Sequence, residues 1–392
     1  MKLRIKFDFS VCNKIEASLV ALIVLFTILK MNSLISLCFA LSFIVLLLYV
    51  VRRARTKTFW VCPLALIALS IINVIINGLT AADANLNFEY FKKVIMFSAF
   101  VLMCYLSTED TVSADVTDMT LNLPCIEGIM LVLSYFLLGN TGVQAGGITL
   151  GFTNSNFAGM WLFHISIYTF LFLIKNNTSW FRRIIALVFL VIQVWLLIMT
   201  KARSCMIAIV LFALFCLIGR IGQSKVINNS ITIGCIVALP IVVVAGYSTL
   251  LSSNWFVNTF SFMVSAGKGL NSRSAVWEPA IEIFKKNVIL GNYAKIENGI
   301  GLIQTKQLHN MHLDILCSYG IVPFLIFLFL LYWVCNKMGK KATNYFSYCA
   351  FCGFLCVIVL GVFEAGVVAG SMGMNLLTTG LLLLANNYAS PE

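Results

Sequence analysis

The chain has 392 residues, of which 60% are hydrophobic and only 11% are charged. This composition excludes an ordinary soluble domain, in which about a quarter of the residues carry charge. A transmembrane barrel is excluded as well, because the apolar residues form long runs and not alternating segments of about 10 residues. The net charge of +12 does not indicate a nucleic-acid partner, since membrane proteins collect Lys and Arg on cytoplasmic loops. We therefore expect an all-α, polytopic integral membrane protein.

Apolar runs of membrane length recur along the whole chain, and about 20 residues suffice to cross a bilayer core as a helix. They predict about 12 transmembrane helices, at residues 15–30, 33–51, 60–77, 92–106, 120–138, 156–174, 184–200, 204–219, 230–251, 320–336, 346–363 and 374–386.

Basic residues in the short loops indicate the orientation. With the N-terminus in the cytoplasm, the basic loops 52–57, 175–183, 219–225 and 336–341 all lie on the cytoplasmic side, as the positive-inside rule requires. The acidic loop 107–118 fits this orientation least well. Residues 1–392 would then form a single transmembrane domain with both ends in the cytoplasm.

The longest predicted extracytoplasmic loop, residues 252–319, lies between the ninth and tenth predicted spans. Loops of this length in a compact fold are usually functional or disordered. A helical pattern from Ser274 to Lys286 favours function, and we expect the active site in this loop. The Gly- and Asn-rich segment 139–156 is expected to be a flexible outer loop before the sixth span.

Arg203 and Arg273 are predicted to lie on the same outer side of the membrane. Guanidinium groups grip phosphate oxygens in pairs, and backbone N–H groups at a helix start also attract phosphate. Together the two arginines suggest a clamp for a diphosphate. The alternatives are that Arg203 contacts lipid headgroups and that Arg273 is a solvated loop residue.

His309 and His312 precede the tenth predicted span and would share a face if this segment were helical. A neutral imidazole can accept a proton from an attacking hydroxyl, so a general base is one interpretation. A metal site is less well supported, because no third ligand has a zinc-site spacing. The third interpretation is that both histidines lie at the membrane interface and take no part in a reaction. Three acids are alternative bases, Glu278, Glu282 and Glu364, whereas His164 is expected to be a packing residue.

Three stretches share a recognisable pattern: TKARS at 200–204, NSRSAVWEPAIEIFKKNVILGNY at 271–293 and QLHNMHLDILCSYGIVPF at 307–324. They resemble the O-antigen ligase and polymerase superfamily of bacterial surface-polysaccharide assembly. GFTNSNFAGMW at 151–161 is also similar to the family's approach to the sixth span. The pattern places the following residues in order: Arg203; Arg273, Trp277 and Gly291; His309, Asn310 and Gly320. Lys201 and Ala202 depart from it, since a Ser or Thr often precedes the first Arg.

The resemblance implies a glycosyltransferase that uses an undecaprenyl-diphosphate-linked glycan at the outer face of the bacterial cytoplasmic membrane, without metal or cofactor. Arg203 and Arg273 would bind the diphosphate, and His309 would deprotonate or orient the acceptor hydroxyl. We expect supporting roles for five further residues, Asn310, His312, Trp277, Glu278 and Glu364.

The residues of the motifs favour a polymerase, which joins lipid-linked repeat units into O-antigen or capsular polysaccharide. The alternatives are a ligase that transfers the glycan to lipid A core, a polysaccharide flippase or other transporter, and a membrane scaffold without catalysis. A transporter should show repeat-related halves, which the sequence lacks. Expected partners are the lipid-linked glycan, the bilayer, a chain-length regulator and a flippase.

Overall fold

The computed structural model describes residues 9–28, 84–108, 114–139, 141–144, 146–152, 154–176, 178–222, 224–259, 270–291, 308–367 and 372–387, with isolated positions between residues 38 and 75. Within these residues the helices are α1 (Phe9–Ile28), α2 (Ala84–Leu106), α3 (Ala114–Leu138), α4 (Ser155–Ile174), α5 (Trp180–Met199), α6 (Arg203–Arg220), α7 (Ser224–Ile227), α8 (Ser230–Ser252), α9 (Asn254–Thr259), α10 (Leu270–Lys285), α11 (Met311–Tyr319), α12 (Ile321–Lys341), α13 (Tyr345–Leu360) and α14 (Met372–Asn387). A 3-10 turn covers Ala365–Val367.

Six of the described helices are long and apolar enough to cross a membrane: Thr117–Leu138, Ser155–Ile174, Trp180–Met199, Arg203–Arg220, Ser230–Tyr247 and Ile321–Lys341. Four shorter apolar stretches, Glu16–Phe26, Lys93–Leu106, Tyr345–Leu360 and Gly373–Asn386, overlap four further predicted spans. The predicted span 33–51 lies almost entirely outside the described residues, and more than half of the predicted span 60–77 does so as well. The chain is thus a predominantly helical membrane protein in its described part, while the number of 12 spans stays a prediction.

Helices α4 and α13 form the centre of the bundle. Nearly every side chain of α13 is buried, and α4 is the most buried of the long apolar helices. Helices α5 and α6 are the least buried of these, so their apolar side chains are suited to face lipid. Trp161 and Tyr168 of α4 are among the largest fully buried side chains, and the hydroxyl of Tyr168 donates to the carbonyl of Leu377 on α14 at 2.7 Å.

A second, smaller apolar core joins helices α8, α10 and α11. It contains Val244, Tyr247, Val276, Trp277, Ala280, Leu308, Leu313 and Cys317. This core fixes α10 and α11, which belong to the predicted loop 252–319, against the end of the long helix α8. The described part of that loop is therefore helical and packed, and α10 begins at Leu270 and not at Ser274 as predicted.

The segment that we expected to be a flexible loop contains a short antiparallel hairpin. Its strands are β1 (Val143–Gln144) and β2 (Gly147–Ile148), and Val143 pairs with Ile148. A side chain at Gly147 would overlap the carbonyl oxygen of Thr200. The hairpin therefore packs directly on the turn between α5 and α6, because glycine permits this close approach.

Candidate functional site

Arg203 is the first residue of α6 and follows a tight turn. In that turn Lys201 has φ +57°, and the hydroxyl of Thr200 donates to the carbonyl of Leu197 at 2.7 Å. Gly159 of α4 lies against Ala202, and a side chain at Gly159 would overlap the Cβ of Ala202. The β1–β2 hairpin and α4 thus hold the turn from two sides, and the half-buried Arg203 starts α6 in a fixed position.

His309 lies just before α11 and contacts a buried acid. Its Nδ1 is 3.6 Å from Oε2 of Glu364, whose side chain is 3% exposed, whereas that of His309 is 28% exposed. The other carboxylate oxygen, Oε1, is 3.5 Å from the hydroxyl oxygen of Ser204. Since Ser204 directly follows Arg203, the start of α6 reaches the same acid that His309 faces.

Asn310 connects three separate parts of the chain behind His309. Its Oδ1 accepts a hydrogen bond from the backbone N–H of Leu313 at 2.9 Å and so caps α11. Its Nδ2 donates to the carbonyl of Pro240 on α8 at 2.9 Å and to that of Val362 at 3.1 Å. Asn310 is fully buried, and it holds the backbone of His309 in a left-handed conformation with φ +50°.

His309 and His312 would share a face only if one helix contained both, and the structure does not meet this condition. Helix α11 begins at Met311, so His309 precedes the helix and points to Glu364. His312 is instead fully buried, edge-on to Phe324 and Phe327 of α12. Burial lowers the pKa of His312 to about 4, because an apolar environment disfavours the charged ring. His312 is therefore neutral near pH 7 and packs beneath the site.

Helix α10 carries the second predicted arginine. Arg273 lies in the first turn of the helix, one turn before Trp277, and not ahead of the helix as predicted. The buried indole of Trp277 donates from Nε1 to the carbonyl of Leu308 at 2.7 Å. Leu308 is the residue before His309, so this hydrogen bond fixes the Arg273 helix next to the His309 backbone.

The two acids of α10 are engaged in contacts of their own. Oε1 of Glu278 accepts a hydrogen bond from the hydroxyl of Tyr247 at 2.5 Å, which adds a second link between α10 and α8. Glu282 pairs with Lys285 at 2.6 Å, and both side chains are more than half exposed. Glu364 differs from them because it is buried and in contact with His309. It is the acid that the geometry connects to the site.

Gly291 and Gly320, both present in the family pattern, lie against each other. They have φ +68° and φ +89°. A side chain at Gly320 would overlap the carbonyl oxygen of Ile289, and one at Gly291 would come within 2.6 Å of the carbonyl oxygen of Cys317. Because neither glycine has a side chain, the segment that follows α10 packs on the α11–α12 junction. This contact joins the helix that carries Arg273 to the segment that carries His309.

Asp314 and Lys93 were not predicted as site residues. Nζ of Lys93 on α2 lies 3.1 Å from both carboxylate oxygens of Asp314 on α11. The pair ties α11 to α2. The sequence signal was weak, consisting of an acid four residues after Asn310 and a lysine near the start of a predicted span. No local sequence pattern marks an ion pair between residues so far apart in the chain.

His164 is a packing residue, as expected. Its Nδ1 is 2.8 Å from the carbonyl oxygen of Met160, and its Nε2 is 3.2 Å from the hydroxyl of Thr378. Across the described residues, no group of three or more His, Cys, Asp or Glu side chains is arranged to hold a metal ion.

The helices and the site define a multi-pass membrane protein in which His309 and Ser204, the residue after Arg203, both contact Glu364 where helices end and begin. Residues 188–328 match the family described as O-antigen ligase. The matched range contains seven of the eight proposed site residues, and only Glu364 lies beyond it. The match confirms the resemblance to the O-antigen ligase and polymerase superfamily and supports a function of that general type. No curated protein matches the chain.

Proposed function

We propose that the protein is a membrane glycosyltransferase that polymerises undecaprenyl-diphosphate-linked repeat units into O-antigen or capsular polysaccharide. The observation that carries this proposal is the contact chain from Arg203 to His309. Ser204, the neighbour of Arg203, contacts one oxygen of Glu364, and His309 contacts the other. The residue next to Arg203 and the proposed proton acceptor His309 thereby contact the same buried acid, and residues 188–328 of the chain match the O-antigen ligase family.

The two arginines would bind the diphosphate of the donor. Arg203 is the first residue of α6 and Arg273 lies in the first turn of α10. A helix start presents unpaired backbone N–H groups, and a guanidinium adds a bidentate contact to phosphate oxygens. Two such positions would neutralise the charge that develops on the departing diphosphate. The leaving group then needs neither a general acid nor a metal.

His309 would act as the base. With Nδ1 directed at the Glu364 carboxylate, Nε2 is the nitrogen that accepts the proton of the acceptor hydroxyl. The hydroxyl oxygen forms a bond to the anomeric carbon of the donor, and the bond from that carbon to the diphosphate oxygen breaks. The bonding electrons leave with undecaprenyl diphosphate, and the proton resides on His309. The Nδ1 to Oε2 distance of 3.6 Å would shorten as the imidazolium forms, because catalytic contacts often tighten only with substrate bound.

The proposal places this site at the outer face of the cytoplasmic membrane, with the loop 252–319 over the sugars. Excluding water there would protect the donor from hydrolysis. A flippase would supply the donor to this face and a chain-length regulator would limit the product. The positive-inside distribution of the basic loops supports this orientation.

A ligase that transfers the glycan to lipid A core is the alternative within the superfamily. It would use the same donor and therefore the same arginines, so the acceptor distinguishes the two reactions. A flippase or transporter is less well supported, because the sequence lacks the repeat-related halves that a transporter should show.

The test uses purified full-length protein with an undecaprenyl-diphosphate repeat unit, and the products are separated by gel electrophoresis. Wild type should yield a ladder, and a folded His309→Ala variant should lose about 100-fold or more of the rate, the usual contribution of a general base. A ladder of equal intensity from both proteins would remove His309 from the reaction. Product only when lipid A core is added would identify a ligase.

A further inference from the structure

A cavity of about 280 Å³ lies between α1, α3, α4 and α5, far from His309. Helix α5 spans the distance between the two places, since its last residue, Met199, directly precedes the turn that leads to Arg203. Arg182, which lines the cavity, is 17 residues before Met199, about 26 Å along a helix that rises 1.5 Å per residue. The charged end of the cavity therefore lies at the membrane face opposite the proposed active site.

The walls of the cavity are mainly apolar. Side chains from three helices supply them, including Ile126, Ile129, Phe172, Ile185 and Phe189. The α5 residues among the lining occupy one helix face, because 182, 185, 186, 189 and 193 follow the three- and four-residue spacing of a single face. The cavity is thus an elongated groove along α5, of a shape suited to a hydrocarbon chain.

One acid and one base also line the cavity. Glu16 of α1 accepts a hydrogen bond from Nδ2 of Asn122 at 3.4 Å, and both residues are in the lining together with Arg182. Arg183, the neighbour of Arg182, does not line the cavity and donates to the carbonyl of Lys175 instead. Opposite charges at the mouth of an apolar groove complement a ligand that carries both charges in its polar head.

A buried amide lies deeper in the same groove. Gln193 lines the cavity and is fully buried, and neither its Oε1 nor its Nε2 has a hydrogen-bond partner among the described residues. A buried amide without partners is costly, more so within a bilayer. Its Nε2 lies against Gly128 of α3, since a side chain at that glycine would overlap it. Gln193 is 11 residues after Arg182, about 17 Å along the helix, so it borders the deep apolar part of the groove and not the charged end.

We propose that this cavity binds one phospholipid with a phosphoethanolamine headgroup from the leaflet opposite the His309 site. Arg182 pairs with the phosphate, and Glu16 accepts a hydrogen bond from the primary ammonium. An acyl chain follows the apolar face of α5. A choline headgroup has no N–H to give Glu16, and a glycerol headgroup has no positive charge. This site is independent of the proposed reaction.

The test is lipid retention by the full-length protein in detergent. The protein is incubated with equimolar phosphatidylethanolamine, phosphatidylcholine and phosphatidylglycerol, and the retained lipid is identified by native mass spectrometry. Wild type should keep one phosphatidylethanolamine per chain. Arg182→Gln should lower its retention about fivefold, as expected for one basic contact at a membrane surface. Glu16→Leu, which removes the acceptor, should abolish the preference for ethanolamine over choline, and Arg183→Gln is the matched control that should change nothing.

A second variant tests the contribution of the apolar groove separately from that of the two charged residues. Ala186→Phe places a ring in the groove and leaves Glu16 and Arg182 in place, so it should lose the lipid, and its thermal unfolding shows whether it is folded. Equal retention of the three lipids by wild type would overturn the proposal. So would a preference for phosphatidylglycerol, an equal loss with Arg182→Gln and Arg183→Gln, or unchanged retention in a folded Ala186→Phe.

Discussion

Glu364 approaches Nδ1 of His309 to 3.6 Å although two long helices, α12 and α13, separate the residues in the chain. The turn after α13 brings them together, because the backbone N–H of Met311 donates to the carbonyl of Gly361 at 2.8 Å. Asn310 donates to the next carbonyl, that of Val362. The acid is therefore positioned by the same backbone contacts that position the histidine.

Glu364→Gln should lower kcat about tenfold or more while KM changes little. The amide keeps the shape of the side chain but removes the negative charge that stabilises the protonated ring, which supplies part of the 100- to 10,000-fold that a general base contributes. The measurement is the rate of repeat-unit polymerisation by purified protein across donor concentrations. Ser204→Ala, which removes the other contact of the acid, should have the smaller effect. Equal kcat values for wild type and Glu364→Gln would exclude this role.

Arg203→Lys should lose about 10- to 100-fold in kcat/KM, because a point charge cannot replace the paired contacts of a guanidinium with phosphate. Arg273→Lys should be impaired in the same way. The matched control is Lys201→Asn, which removes a neighbouring charge in a residue type that tolerates the φ of +57° at this position. If both arginine variants retained full activity, or if Lys201→Asn were as impaired as they are, the diphosphate clamp would be wrong.

Most of the transmembrane helices could be predicted because hydrophobic length is a local property. Ten of the predicted spans overlap described apolar helices, and Arg203 does stand at the start of one of them. The start of α10 was misplaced by four residues, since the segment from Leu270 to Arg273 has no pattern that separates a loop from the first turn of a helix.

The arrangement within the site could not be predicted, because it depends on contacts between distant segments. Spacing alone put His309 and His312 on one helix face, whereas the cap at Asn310 separates them. Glu364 could be recognised as an acid near the membrane, but its partner could not be identified from the sequence. The ion pair of Lys93 with Asp314 was missed for the same reason.

Gly320→Ala should lower the free energy of unfolding by about 3 kcal/mol or more. The positive φ alone costs a non-glycine residue about 1–2 kcal/mol, and the overlap with the carbonyl of Ile289 adds a packing cost. Gly222→Ala is the matched control, because Gly222 has φ +80° but open space around it, so it should lose only the backbone part. Thermal unfolding of both variants in detergent measures the difference. Equal losses would show that the close approach at Gly320 does not contribute.

His312 should make the folded protein less stable in acid. Its pKa in the folded state is about 4 because of burial, below the value of about 6.5 for a free histidine. Between these values the unfolded chain binds a proton that the folded chain does not, so the stabilisation is complete above about pH 6.5 and is lost as the pH falls toward 4. The loss is on the order of 2–3 kcal/mol.

The variant His312→Leu places an apolar side chain of similar size beside Phe324 and Phe327. This side chain cannot take up a proton. Melting temperatures of wild type and variant at pH 7 and pH 4.5 give the comparison. The wild type should lose more stability than the variant between the two pH values, because only its unfolded state gains a proton at position 312. An identical fall in both proteins would mean that His312 is accessible to protons in the folded state, and the buried position beneath the site would then be wrong.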